Sequence, residues 1–83
     1  MKTKDEVVAW LVQVLGDQFD VPAAAIAPQA LLSDDLDLDS IDSIDFVVTL
    51  EEKMGIRVED EEVRGLRCFQ DMVELVYRKL APE

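Results

Sequence analysis

The sequence predicts an all-α fold: a small four-helix bundle of three main helices and one short helix, with a long first loop. Two observations predict it. Apolar residues recur at helical spacing in three separate stretches, and no period-two strand is evident. Proline and glycine separate these stretches. We expect residues 1–83 to form a single domain with a modest core.

The first helix is predicted from Lys4 to about Gln18. Thr3 is placed to cap its start, and Glu6 lies three residues on, as in a capping box. The apolar face consists of Val7, Val8, Leu11, Val14, Leu15 and Phe19, with Trp10 at its edge. A long connection over residues 20–36 follows and is predicted to pack on the core through Val21, Ile26, Leu31, Leu32 and Leu36.

The second helix is predicted to begin near Ser40 and to stop at Gly55. Asp39 is the predicted N-cap, because a carboxylate there accepts hydrogen bonds from free backbone N–H groups. The expected apolar face consists of Ile41, Ile44, Val47, Val48, Leu50 and Met54. Outside it, the expected acidic ridge consists of Asp42, Asp45, Glu51 and Glu52.

Two more helices are predicted in the last third of the chain. The acids of residues 59–62 suit the first turn of a short helix, which Gly65 ends. Residues 69–80 form the last helix, with Arg78 and Lys79 in its final turn, where cations favour the helix dipole.

The charge distribution limits the partners. The chain has a net charge of −11, and residues 34–62 hold twelve acids and two bases, a net of −10. Nucleic acid and anionic membrane are disfavoured, because both require basic side chains. A basic protein surface is the natural complement, since such charge raises association rate and specificity.

Other classes are disfavoured by what the sequence lacks. Cys68 is the single cysteine, so an internal disulfide is impossible and a cytoplasmic location is expected. No signal peptide or membrane span is evident, and a monomer is expected. The chain has no histidine, no metal-ligand spacing and no glycine-rich phosphate loop, so we expect neither an enzyme nor a metal site.

Ser40 is the leading candidate for a functional residue. It places a hydroxyl at the start of an acidic helix, where free backbone N–H groups and the helix dipole favour an attached phosphate. The simpler alternative is that Ser40 only caps the helix. Ser43, one turn further on, is interpreted as a surface serine, and Cys68 as a partly buried small residue rather than a reactive thiol.

Asp35, Asp37 and Asp39 alternate like the start of a calcium loop. An EF-hand would need glycine at its sixth position and glutamate at its twelfth. Those positions hold Ser40 and Phe46, so an EF-hand is rejected, and only weak divalent-cation binding is left open.

The motif Asp39-Ser40-Ile41 and the acidic helix after it resemble the acyl carrier protein family over essentially the whole chain. The resemblance implies that a phosphopantetheinyl transferase moves 4′-phosphopantetheine from coenzyme A onto Ser40. The terminal thiol would carry acyl groups as thioesters to acyl-transfer and chain-elongation enzymes of fatty-acid, lipid or polyketide-type biosynthesis. Their basic docking surfaces would meet Asp39, Asp42, Asp45, Val48, Glu51 and Glu52, and the acyl pocket would include Val63 and Leu66.

Two residues depart from the family pattern. Asp37 stands where the family usually has glycine, and Ile41 replaces the common leucine. These changes are expected to alter the backbone before Ser40 and to indicate a specialised carrier. A peptidyl or aminoacyl carrier and an unmodified acidic adaptor for a basic protein are the alternatives.

Overall fold

A computed structural model describes residues 3–80 as an all-α bundle, as predicted. The helices are α1 (Lys4–Phe19), α2 (Ser40–Met54), α3 (Asp60–Arg64) and α4 (Phe69–Leu80). The long loop contains one short 3-10 helix, Ala23–Ala25. Within residues 3–80 there is no β-strand, only one isolated antiparallel bridge that pairs Leu31 with Cys68.

Helix α1 begins with the predicted capping box. The Glu6 N–H donates to the Thr3 hydroxyl at 3.2 Å, and the Thr3 N–H donates to Glu6 Oε1 at 3.1 Å. The helix ends one residue later than predicted, at Phe19. Asp20 closes it in a left-handed conformation and donates its N–H to the carbonyl of Leu15.

Helices α1 and α4 share the main core, because each buries one apolar face against the other. The largest fully buried side chains of this core are Leu11, Leu15, Phe46, Leu50 and Met72. At the rim, Lys4 Nζ lies 2.9 Å from Glu74 Oε2 and 5.4 Å from the centre of the Tyr77 ring. The hydrogen bond from Lys4 lowers the pKa of Glu74.

The long loop packs on this core, as predicted, and is held by backbone hydrogen bonds. The Leu32 N–H donates to the Arg67 carbonyl at 2.9 Å, and the Phe69 N–H donates to the Ala30 carbonyl at 2.9 Å. Its buried side chains are Val21, Ala30, Leu32, Leu36 and Leu38. The prediction was wrong for Leu31, whose side chain is exposed.

Helix α2 differs from the prediction in which apolar residues it buries. Phe46, Val47 and Leu50 are buried. Ile41 and Ile44 were predicted on the apolar face but are not buried with it: their side chains are 67% and 58% exposed. Val48, which the resemblance also assigned to the partner-recognition face, is 45% exposed. Apolar residues occupy two sides of α2, and the bundle covers one of them.

Helix α3 is held to α4 through Glu62. Its carboxylate accepts hydrogen bonds from the Glu59 N–H at 2.9 Å and from Arg78 Nη2 at 3.3 Å, and it lies 2.9 Å from Lys79 Nζ. The bond from the Glu59 backbone, followed by the bond from Lys79, lowers the pKa of Glu62 to about 2. This carboxylate therefore stays charged at neutral pH and fixes the short helix against α4.

Candidate functional site

Ser40 is the first residue of α2 and is exposed. The helix start is capped by Asp39 instead: the Asp42 N–H donates to Asp39 Oδ1 at 2.8 Å, and the Asp39 N–H donates to Asp42 Oδ2 at 3.3 Å. Because Asp39 is the cap, the alternative that Ser40 merely caps the helix is wrong. The Ser40 hydroxyl makes no hydrogen bond to any other residue in the range 3–80.

The second hydroxyl of the motif is already engaged. Ser43 Oγ donates to the Asp39 carbonyl at 3.2 Å, and its side chain is partly buried. A hydroxyl that bonds to the preceding turn is less accessible to an incoming reagent. The geometry therefore separates the two serines, which the sequence alone places one turn apart.

The turn before Ser40 keeps the conformation that glycine favours. Asp37 has φ 58, in the left-handed region that glycine adopts most easily, although aspartate has a Cβ atom. Leu36 and Leu38 on either side are buried, so the turn is anchored at both ends. The departure from the family's glycine therefore adds a carboxylate near Ser40 within a backbone of the glycine type.

A cleft with a volume of about 580 Å³ lies between α2 and α3 and reaches Ser40. Its apolar wall consists of Ile44, Val47, Val48, Val58 and Val63. Val63, which the resemblance assigned to an acyl pocket, is one of the residues that line this cleft. Leu66 does not line this cleft; it packs behind the wall, against the buried cluster of Val47, Val58 and Leu75.

The five carboxylates that the resemblance assigned to partner recognition fall into two groups. Asp39 and Asp42 are bonded to each other's backbone, and Glu51 Oε2 accepts the Val58 N–H at 3.0 Å. Asp45 and Glu52 are exposed, and their carboxylates bond to no other group in the described chain. Only these last two are entirely available to a partner without loss of a local hydrogen bond.

The exposed side of α2 carries residues that were predicted on its apolar face. We define the exposed α2 face as Ile41, Ile44, Asp45, Val48 and Glu52. Ile41 and Ile44 were missed as surface residues. The available signal was that the apolar residues of α2 span more of the helix circumference than one core contact can cover.

Three further features were sought in the described chain. Residues 3–80 contain no group of three or more acidic, histidine or cysteine side chains arranged to hold a metal ion. Among the same residues, no helix has the length and apolar character needed to cross a membrane. Cys68 is partly buried, and its N–H donates to Asp71 Oδ2 at 3.3 Å.

These features fit a phosphopantetheine group. An exposed hydroxyl without a hydrogen-bond partner can accept it, the N-terminus of α2 suits its phosphate, and the apolar cleft beside Ser40 can shelter what it carries. When bound, the group supplies a thiol that forms thioesters. The residues that would hold it are Ser40, through its hydroxyl, and the apolar residues of the cleft wall.

Comparison with known proteins agrees with this geometry. Residues 9–76 match the sequence model of a family described as the phosphopantetheine attachment site. The acyl carrier protein of Myxococcus xanthus is 36% identical over 76 residues, which cover 92% of this chain and 96% of that protein. A meromycolate extension acyl carrier protein of Mycolicibacterium smegmatis is 29% identical and covers 92% of this chain and 77% of its own length.

Solved structures give the same result. The acyl carrier protein of Thermotoga maritima superposes with a TM-score of 0.81 at 27% identity, over 93% of this chain and 89% of that one. The acyl carrier protein of Enterococcus faecalis gives a TM-score of 0.75 at 27% identity, over 93% and 98% of the two chains. An acyl carrier is thus favoured over a peptidyl carrier or an unmodified adaptor. The chain belongs to the acyl carrier protein family, whose members carry acyl groups on a covalently attached 4′-phosphopantetheine.

Proposed function

We propose that Ser40 is the residue to which 4′-phosphopantetheine is attached. The observation that carries this proposal is the contrast between two hydroxyls: the one of Ser40 is exposed and unbonded at the mouth of the cleft, whereas Ser43 Oγ bonds to the Asp39 carbonyl at 3.2 Å. The capping box of Asp39 and Asp42 holds the first turn of α2, so Ser40 is presented on a fixed backbone.

The transfer requires a phosphopantetheinyl transferase and coenzyme A. The Ser40 oxygen forms a bond to the phosphorus next to the pantetheine arm, and the phosphoanhydride bond of coenzyme A breaks. Adenosine bisphosphate leaves, and the hydroxyl proton passes to a base on the transferase. This chain needs no catalytic residue for the step, which supports a carrier rather than an enzyme.

The cleft is proposed to shelter the acyl chain. Five of the residues that line it are aliphatic, and this apolar part of the wall favours alkyl groups over polar aminoacyl groups. Val63 contacts the cargo directly in this proposal, and Leu66 supports the wall through its packing on Val58 and Leu75. The acyl groups therefore belong to fatty-acid, lipid or polyketide-type biosynthesis.

The exposed α2 face is proposed as the surface that partner enzymes recognise. Its apolar contacts are made by Ile41, Ile44 and Val48. Its charge comes from Asp45 and Glu52, which attract the basic docking surfaces of acyl-transfer and chain-elongation enzymes. The contributions of Asp39, Asp42 and Glu51 are expected to be mainly structural, since their carboxylates bond to backbone N–H groups. Their charge still adds to the negative field.

The remaining assignments follow from the same features. The shared core of α1, α2 and α4 supports one carrier domain. That this domain spans residues 1–83 and acts as a monomer is part of the proposal. The single cysteine supports a reducing compartment, the cytoplasm. The replacement of leucine by Ile41 remains the sequence feature that points to a specialised carrier.

The test is the intact mass of the protein after incubation with coenzyme A and a broad-specificity phosphopantetheinyl transferase. Wild type and Ser43→Ala should each gain one phosphopantetheine, and Ser40→Ala should gain none. Circular dichroism of Ser40→Ala should match wild type, because the hydroxyl makes no hydrogen bond to the rest of the described chain. Modification of Ser40→Ala but not of Ser43→Ala would move the attachment site to Ser43.

A further inference from the structure

Arg64 places a positive charge in the cleft without a partner among the described residues. It is the last residue of α3, it is exposed, and it lines the cleft together with Ser40. It is also the one basic residue among those that line this cleft. Within residues 3–80, its guanidinium forms no ion pair or hydrogen bond, although carboxylates are abundant nearby.

Arg64 is the C-terminal residue of α3, and it lines the same cleft as Ser40. The Val58 N–H donates to Glu51 Oε2 at 3.0 Å, which ties the segment before α3 to the C-terminal part of α2. Arg64 is the residue of α3 farthest along the chain from that tie, about 6 Å from the first residue of the helix at 1.5 Å per residue. Glu62, bonded to Lys79 at 2.9 Å, fixes α3 in this place.

Attachment of phosphopantetheine changes the charge at Ser40. A phosphodiester adds one negative charge directly after Asp39 and two residues before Asp42, whose carboxylates are held in the same turn. The helix dipole offsets only part of the resulting repulsion. A guanidinium without a partner matches phosphate oxygens in both charge and geometry.

We propose that Arg64 binds the phosphodiester formed at Ser40 and thereby positions the phosphopantetheine arm over the cleft. The proposal rests on Ser40 as the attachment residue. Arg64 acts through hydrogen bonds to phosphate oxygens that exist only in the modified protein. It is therefore a positioning residue with no counterpart interaction in the unmodified chain.

The experiment compares unmodified and modified forms of wild type, Arg64→Gln and Arg67→Gln. Arg67 is the matched control, because it is exposed, forms no side-chain ion pair in the described chain and lies outside the cleft. Intact mass establishes modification first. Thermal unfolding then gives the change in Tm on modification, and ³¹P NMR gives the resonance of the phosphodiester.

On modification, Arg64→Gln should lose about 1–8 °C more in Tm than wild type, the effect of one exposed charge pair in a domain of this size. Its phosphodiester resonance should shift and sharpen, and high salt should reduce both differences. Arg67→Gln should behave like wild type. If all three proteins gain the mass but show equal changes in Tm and in the ³¹P resonance, the role of Arg64 is overturned while Ser40 remains the attachment residue. Absence of the mass gain from wild type would overturn the attachment itself.

Discussion

The left-handed turn at Asp37 gives a quantitative prediction: Asp37→Gly should be more stable than Asp37→Ala by about 1 kcal/mol. Asp37 has φ 58. A side chain with a Cβ costs roughly 1–2 kcal/mol in this region, and glycine avoids that cost. The greater freedom of glycine in the unfolded chain offsets roughly 0.5–1 kcal/mol of the gain.

The backbone cannot relieve the strain by moving. Leu36 and Leu38 are buried on either side, and the Leu38 N–H donates to the Leu32 carbonyl at 2.8 Å. Alanine at position 37 must therefore keep the left-handed conformation. Wild type is expected between the two variants, because aspartate tolerates this conformation better than alanine does.

Thermal unfolding followed by circular dichroism measures the difference. A change of about 1 kcal/mol corresponds to about 4–8 °C in Tm for a domain of this size. Asp34→Gly and Asp34→Ala are the matched controls: Asp34 is exposed, has no positive φ and loses the same charge. At position 34, the Tm of the alanine variant should equal or exceed that of the glycine variant. A Tm of Asp37→Ala equal to or above that of Asp37→Gly would refute the reasoning.

Two further predictions concern charge. The pKa of Glu62 is lowered from its usual 4.5 to about 2, so the charged carboxylate stabilises the folded protein at every pH above 4.5. This stabilisation is lost as the pH falls from 4.5 through about 2. Glu62→Gln should lower Tm at pH 7, with a gap to wild type that closes near pH 2; a constant gap would contradict the assignment. Asp45→Lys should slow phosphopantetheinyl transfer about three- to tenfold at low salt, whereas Asp17→Lys on α1 should not. Equal rates for both would argue against the exposed α2 face.

Local chemistry determined most of the helices. The capping pair Thr3 and Glu6 fixed the start of α1, and Asp39 and Gly55 bounded α2, because caps act through bonds within one turn. The motif at Ser40 could be read directly, since a hydroxyl, its neighbours and their charges are all sequence features.

Tertiary structure decided what each face of a helix meets. Periodicity placed Ile44 and Val48 on apolar stripes, but only the bundle shows that its neighbours cover Phe46 and leave these two exposed. The sequence by itself determined the helices, the acidic centre and the serine at the helix start. The structure showed that the Ser43 hydroxyl bonds within its own helical turn while that of Ser40 is free. The tertiary structure decided where the cleft opens and that Arg64 lines it, because the cleft is formed by residues from separate helices.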